Sequence, residues 1–441
     1  MSAGDRACAP ERGLPKPTRA WRRRAFVVLV LLACATTVTA TPAWARSQAG
    51  LIRAIAHILA GAHINGTASV RVWDLDSGAQ VYGRNIHKLL APASNEKLVT
   101  SAAALELWGA DHRFKTELYG GAAAPDADGV LHGGLFLKGY GDPTLSDQSY
   151  QKHVLHFTTS DMSHFVAAIK ALGVTRVAGR IVGDDGSFDS ARTVAGWKPG
   201  LAAYCAPLSA LTLNGNMLGG ARVSDPALHA ARVLKQLLED AGIAVSGGAV
   251  DGTVPAGATL LYTENSAQLW RVLRFMDKHS DNFMAEMLAK GLGLDFGTGG
   301  TTAAGTVVAR KFLLSSGVRM TEVRLRDGSG LSYKDRLSAL SVTELLAAMS
   351  KQTDYKIYWG ALPVAGVDGT LSRRMRGTAA ARNLHAKTGS LSIASCLSGY
   401  VTTADHQSLV FSVLMNGAHL STAAAHKAQD AIGAAMAAAH L

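Results

Sequence analysis

Ser94-Asn95-Glu96-Lys97 follows Pro92 and opens a helical run from Asn95 to Trp108. A serine and a lysine three apart on a helix share a face, so the amine can reach the hydroxyl. At the start of a helix the positive end of the dipole also favours developing alkoxide or oxyanion charge. A lysine in a desolvated pocket loses its proton more readily and can act as base. The spacing alone decides little, since Ser149-Tyr150-Gln151-Lys152 has it too. Taken singly, Ser94 is as well explained as a helix cap beside a solvated lysine.

Two stretches further along change that weight. Ser280-Asp281-Asn282 falls between helical runs at 266–278 and 283–290, where a short loop can turn a hydroxyl and an amide toward one site. Lys387-Thr388-Gly389-Ser390 reads as strand, and alternation sends Lys387 and Gly389 to one face. The missing side chain at Gly389 lets a ligand approach the backbone. Helix capping and a bent edge strand are the plain alternatives for these two stretches. The order Ser-x-x-Lys, Ser-Asp-Asn, Lys-Thr-Gly is what gives them joint meaning.

The chain around them has 441 residues, 48% hydrophobic and 17% charged, which excludes a disordered, collagen-like or disulfide-stapled protein. Multi-pass membrane spans are excluded as well. Residues 1–45 read as an export signal: a basic run ending at Arg24, an apolar stretch from Ala25 to Val38, then Ala43-Trp44-Ala45. An uncleaved anchor is the alternative. Arg23-Arg24-Ala25-Phe26 and Leu31-Leu32-Ala33-Cys34 are weak matches to twin-arginine and lipoprotein signals. The signal supplies +5 of the formal charge of +11 and leaves about +6 on the remainder. That mild excess suits anionic wall material and gives no nucleic-acid footprint. Cys205 and Cys396 remain after the signal; export permits a bridge between them, and two buried free thiols are equally compatible.

Three stretches of differing character follow the signal. Residues 46–115 carry a helix and a hairpin in which Ser69–Trp73 alternates and returns through Val81-Tyr82. Residues 116–263 are rich in Gly and Asp with short strands and two helical runs. Residues 264–441 return to long helices, then strands at 383–391, 396–402 and 408–415, and an Ala-rich closing helix. Neither the first nor the last stretch holds enough strands for a sheet alone. The expected fold is therefore α+β: the two combine into one antiparallel sheet flanked by helices, with 116–263 as a β-rich insert.

With the three motifs in this order in an exported chain, the sequence resembles the D-alanyl-D-alanine carboxypeptidase/endopeptidase family, the class C low-molecular-mass penicillin-binding proteins. The resemblance extends to Gly139-Tyr140-Gly141-Asp142-Pro143, Ala206–Leu211, Asp327–Ser332 and Leu362–Leu371, and so covers nearly all of the chain after the signal. It implies a serine penicillin-binding/β-lactamase-like transpeptidase domain with a large insertion between the first two motifs. It implies Ser94 as nucleophile on a D-alanyl-D-alanine carbonyl or cross-link, Lys97 as base, and Ser280 as proton relay to the leaving amine. Asn282 would hold the substrate amide, Lys387 and Thr388 the terminal carboxylate, and the N–H groups of Ser94 and Ser390 the oxyanion. Gly389 would admit the substrate, and Asp142 matches an insert aspartate that approaches the diamino-acid side chain. The implied partners are peptidoglycan peptides, with β-lactams as covalent inhibitors, in the periplasm or cell envelope and compatible with peripheral attachment to membrane or wall.

One position departs from the family pattern. Where relatives commonly carry an arginine after the Asp327–Ser332 run, this chain has Tyr333, which donates one hydrogen bond and offers no charged fork. Among competing readings, a class A β-lactamase needs a glutamate with an asparagine four residues on between the second and third motifs. Glu322 and Glu344 are the only glutamates from Thr321 to Lys387, and neither has one. A non-catalytic wall-peptide binder would have little reason to keep Ser94, Lys97, Ser280 and Lys387 together. No His-Glu-x-x-His pattern supports a metal site, no cofactor is implied, and the Gly-x-Ser-x-Gly elbow of α/β-hydrolases is absent.

Overall fold

The computed structural model describes residues 47–441, so the expected export signal over 1–45 lies outside the described residues. Helix α1 (Gln48–Gly61) starts at Ser47, whose side chain accepts a hydrogen bond from the Gly50 N–H. It leads into strands β1 (Thr67–Asp74) and β2 (Gln80–Arg84). A 3-10 turn over Ala93–Glu96 feeds helix α2 (Lys97–Trp108). The helix therefore opens with a tighter turn than the regular start expected from Asn95.

Residues 115–265 build a second five-stranded sheet from β3 (Lys115–Gly120), β4 (Leu135–Gly139), β5 (Ile181–Asp184), β6 (Ala249–Asp251) and β7 (Thr259–Asn265). Its order is β6-β5-β4-β3-β7; β5 runs parallel to both neighbours and the other pairs are antiparallel. Helices α3 (Met162–Ala171) and α4 (Pro226–Asp240) cover it through a core that includes Phe165, Ile169, Leu234 and Leu238.

The chain then returns through α5 (Leu269–His279), α6 (Asn282–Phe296), α7 (Thr302–Ser315), α8 (Ala339–Met349) and α9 (Tyr355–Ala361). Helix α6 runs past the expected end at 290, through Gly291 and Gly293. The reason is close packing on α7: a Cβ at Gly293 would lie 2.8 Å from the Gly305 nitrogen, and one at Gly305 would overlap the Ala289 carbonyl. Glycines that look like breakers in the sequence are contact points between two helices.

Strands β8 (His385–Leu391), β9 (Ala394–Thr402) and β10 (Ser408–Asn416) complete the first sheet, and α10 (Thr422–Ala437) closes the chain. The sheet order is β8-β9-β10-β1-β2, antiparallel throughout, so strands from both ends of the sequence meet at β10–β1. Strand β10 is buried from Leu409 to Met415, and its apolar residues form an almost unbroken run because both faces are covered. Leu409, Phe411, Val413 and Met415 join a core with α1 and α10, whereas Val410 faces the core that holds α2, α5, α6 and α8. The sheet is thus a middle layer, with β8 as an edge facing the turn that carries Ser94. Among the described residues no helix is long and apolar enough to cross a membrane.

Candidate active site

Ser94 sits on the 3-10 turn directly after Ala93, whose φ of +48° is a left-handed value that non-glycine residues rarely adopt. The neighbouring packing holds this strain in place: Gly330 approaches so closely that a Cβ there would overlap the Ala93 carbonyl. Asn95 fixes the turn from the other side. Its amide donates to the Lys387 carbonyl (2.8 Å), and its Oδ1 accepts from Ser398 Oγ (2.7 Å). Through Asn95 the first motif is tied directly to β8 and β9.

Lys97 is fully buried, and its Nζ has three neighbours: Ser94 Oγ at 3.1 Å, Asn282 Oδ1 at 2.7 Å and the Ser329 carbonyl at 2.7 Å. A neutral amine has two N–H bonds and one lone pair. The two carbonyl-type oxygens can only accept, so they take the N–H bonds and leave the lone pair facing the Ser94 hydroxyl. Burial lowers the Lys97 pKa, opposed by the carboxylates of Asp327, Asp281, Glu286 and Asp277.

Ser280 ends α5 in the left-handed region (φ +58°), which turns its side chain out of the helix. Lys387 Nζ donates to Ser280 Oγ at 2.8 Å and to the Thr388 carbonyl at 3.2 Å. Lys387 is also fully buried; desolvation, with the charge of Lys97, lowers its pKa to about 7. Gly389 lies so near the first motif that a Cβ would fall 2.7 Å from the Pro92 carbonyl and 3.1 Å from the Ser94 nitrogen. Ser390 is exposed on the edge strand, and Thr388 Oγ1 meets Thr370 Oγ1 at 2.8 Å. Ser94, Lys97, Ser280, Asn282 and Lys387 thus converge, with Thr388, Gly389 and Ser390 along their border.

Two expectations change. Asn282 does not present an idle amide, because its Nδ2 donates to the Tyr204 carbonyl at 2.8 Å while its Oδ1 holds Lys97. Asp142 is not an open carboxylate at all. It is 1% exposed; Oδ1 accepts from the Thr144 N–H and hydroxyl, and Oδ2 from Ser160 Oγ. Burial raises its pKa to about 6 against the pull of those bonds. It is a clamp within the fold, as the turn before Pro143 requires.

Sequence reasoning missed the layer beneath. Glu286 is fully buried, and its Oε1 accepts from the Gly328 N–H (3.0 Å) and the Ser329 N–H (2.8 Å), which sets the Ser329 carbonyl on Lys97. Burial, with Asp327 nearby, raises its pKa to about 8. Glu96 and Asp335 are raised as well, by burial first and then by the carboxylate of Asp327. Asp327 binds the Gly330 and Ser332 N–H groups and Trp197 Nε1. At the border, Tyr333 OH meets Ser392 Oγ at 2.7 Å, and Lys198 Nζ lies 3.9 Å over the Tyr333 ring. Cys205 and Cys396 are separate, buried free thiols. Among the described residues no cluster of three or more His, Cys, Asp or Glu side chains could hold a metal ion.

The model of the D-Ala-D-Ala carboxypeptidase 3 (S13) family matches residues 51–221 and 219–439. A D-alanyl-D-alanine carboxypeptidase from an Actinomadura species is 33% identical over 483 aligned positions, covering 90% of this chain and 87% of the relative. The crystal structure of penicillin binding protein 4 (dacB) from Haemophilus influenzae has a TM-score of 0.74 at 21% identity, covering 85% of this chain and 98% of that one. The same protein complexed with a β-lactam has a TM-score of 0.68 at 21% identity, covering 85% and 97%. The two crystal structures share the fold of this chain.

Proposed function

The chain belongs to the D-Ala-D-Ala carboxypeptidase 3 (S13) family, and on that premise we propose that Ser94 is its nucleophile, in a carboxypeptidase and D,D-endopeptidase acting on peptidoglycan stem peptides and cross-links. The observation that carries this reading is the buried Lys97 amine, fixed by two acceptors with its remaining valence on Ser94 Oγ.

Lys97 takes the Ser94 proton as Oγ attacks the carbonyl of the penultimate D-alanine. The N–H groups of Ser94 and Ser390 receive the oxyanion; Gly389, lacking a Cβ, brings the edge strand against the first motif. An extended peptide can lie along the edge of β8 beyond the His385–Val364 bridge as an added strand. Ser280, bonded to Lys387, relays the proton taken up by Lys97 to the departing amine and stays a neutral hydroxyl, and Lys387 with Thr388 holds the terminal carboxylate in a carboxypeptidase substrate. Water then hydrolyses the Ser94 ester. β-Lactams acylate the same hydroxyl, and the protein works after export, in the cell envelope. Selection by a third-residue carboxylate is weakened because Tyr333 supplies no guanidinium.

Incubation with a fluorescent penicillin beside a Ser94→Ala variant tests this. A lasting covalent label on the wild type alone is expected. A label that disappears quickly while antibiotic is consumed would turn the reading to a β-lactamase. No label on folded wild-type protein would overturn it.

A further inference from the structure

Two adjoining hollows meet at His156 and Phe157, and the first borders the exposed side of α5. One, about 340 Å³, is lined by Trp270, Arg271, Arg274, Phe275 and His279, among others. The second, about 630 Å³, includes Lys152, Asp161 and His164, and shares His156 and Phe157 with the first. Arg271, Arg274 and Lys278 recur at steps of three and four and so stack along one side of the helix. Arg271 and Arg274 are exposed, and neither has a carboxylate within ion-pair reach among the described residues. Lys278 is already paired with Asp368. The single lining carboxylate, Asp161, caps α3 through the Ser163 N–H and hydroxyl.

The facing wall is unusual in its backbone. Gln151–Leu155 forms a π turn that ends at His156, left-handed with φ +59°. Wide turns of this kind and left-handed non-glycine residues gather at functional sites. The turn sets Phe157 edge-on to Phe275 (6.2 Å between centroids), and Phe275 lies 4.4 Å from the His279 ring. Arg271 lies 4.5 Å over Trp270. Phe157, Trp270 and Phe275 are half-buried, forming walls of a recess, whereas membrane docking calls for apolar groups that project.

We infer that the two hollows form one groove that holds an acidic cell-wall strand, a sugar-containing polymer bearing carboxylates or phosphates, next to the catalytic site. Unpaired guanidinium forks suit both anions, and the flat rings offer apolar faces between them. Cations outnumber the single carboxylate, Asp161, along the recess, and such an excess of one sign concentrates a polyanion around it. His279 immediately precedes Ser280, so one end of the groove lies at the second motif. The inference rests on the reading that this protein works at the cell wall, and adds an anchoring site separate from the catalytic pocket.

The test is cosedimentation of the Ser94→Ala protein with purified walls that retain their phosphate polymers and with walls stripped of them. The same assay is run on Arg271→Ala/Arg274→Ala and on Arg271→Glu in that background. Binding that falls roughly tenfold in the double variant and weakens with salt is expected, since each contact is partly screened. Retention on stripped walls identifies carboxylates as the anion, and its loss identifies phosphates. Equal binding by all variants overturns the groove, as does arginine-dependent binding to anionic lipid vesicles in place of walls. Fluorescent-penicillin labelling of each variant with Ser94 intact keeps the two readings apart. Labelling without wall binding sinks the groove alone, and wall binding without labelling sinks the catalytic reading alone.

Discussion

Lys97, which meets Ser94, and Lys198, which lies over the Tyr333 ring, are held under opposite conditions. On the floor, Lys97 is fully buried, held by Asn282 and Ser329, and depressed in pKa by desolvation. On the rim, Lys198 is exposed and lies over the half-buried Tyr333 ring, whose hydroxyl makes one bond to Ser392. In low dielectric the surroundings choose the charge state of a group and fix its direction; near solvent, water and ions level such differences. The floor should therefore be intolerant of sub-ångström change, and the rim forgiving.

Gly389→Ala is the sharpest way to break that contrast. The added Cβ would press on the Pro92 carbonyl at 2.7 Å and the Ser94 nitrogen at 3.1 Å, and backbone atoms cannot swing aside as a side-chain end can. Displacing a nucleophile by about 1 Å can cost about 100-fold in rate, so penicillin acylation should fall by about that factor in a protein that still folds. Acylation within a few-fold of wild type would show that the floor yields.

Glu286→Gln gives a smaller effect that depends on pH. Burial raises the carboxyl to about 8 in the folded state, above its ordinary value near 4.5. The folded protein therefore binds more protons than the unfolded chain between those values. The stability this contributes is complete below the unfolded pKa and is lost as pH rises through the folded one. Glutamine preserves the acceptor for the Gly328 and Ser329 N–H groups and does not ionise. The variant should melt close to wild type at pH 5 to 6 and lose less on going to pH 9. Parallel melting curves across that range would mean Glu286 is already ionised on the floor.

These floor residues also mark where sequence reasoning ended. The three motifs and the sheet were legible because each has a local signature: helical spacing at Ser94 and Lys97, alternation at Lys387 and Gly389, and the apolar run of β10. Of the two acceptors that give Lys97 its chemistry, Asn282 lies in the second motif but the other has no such signature. It is a backbone carbonyl at Ser329, 232 positions away, set in turn by Glu286. Asn95 stands inside the first motif but bonds to β8 and β9, a contact that only the folded sheet brings about. The surroundings of Asp142 were out of reach for the same reason: Thr144 and Ser160, the latter 18 positions away, supply hydroxyls that enclose its carboxylate.

Tyr333→Phe is the mildest change and probes the rim. It deletes one bond, to Ser392, at a place where water can replace the lost partner. Stability should shift by less than about 0.5 kcal/mol. The kcat/KM for release of D-alanine should stay within roughly threefold. Because a hydroxyl lacks the charged fork that reads a carboxylate, peptides with and without a carboxylate on their third residue should suffer alike. A loss confined to the carboxylated peptide would show the hydroxyl selecting that group. The rim would then act as specifically as the floor, and burial would no longer account for the difference between them.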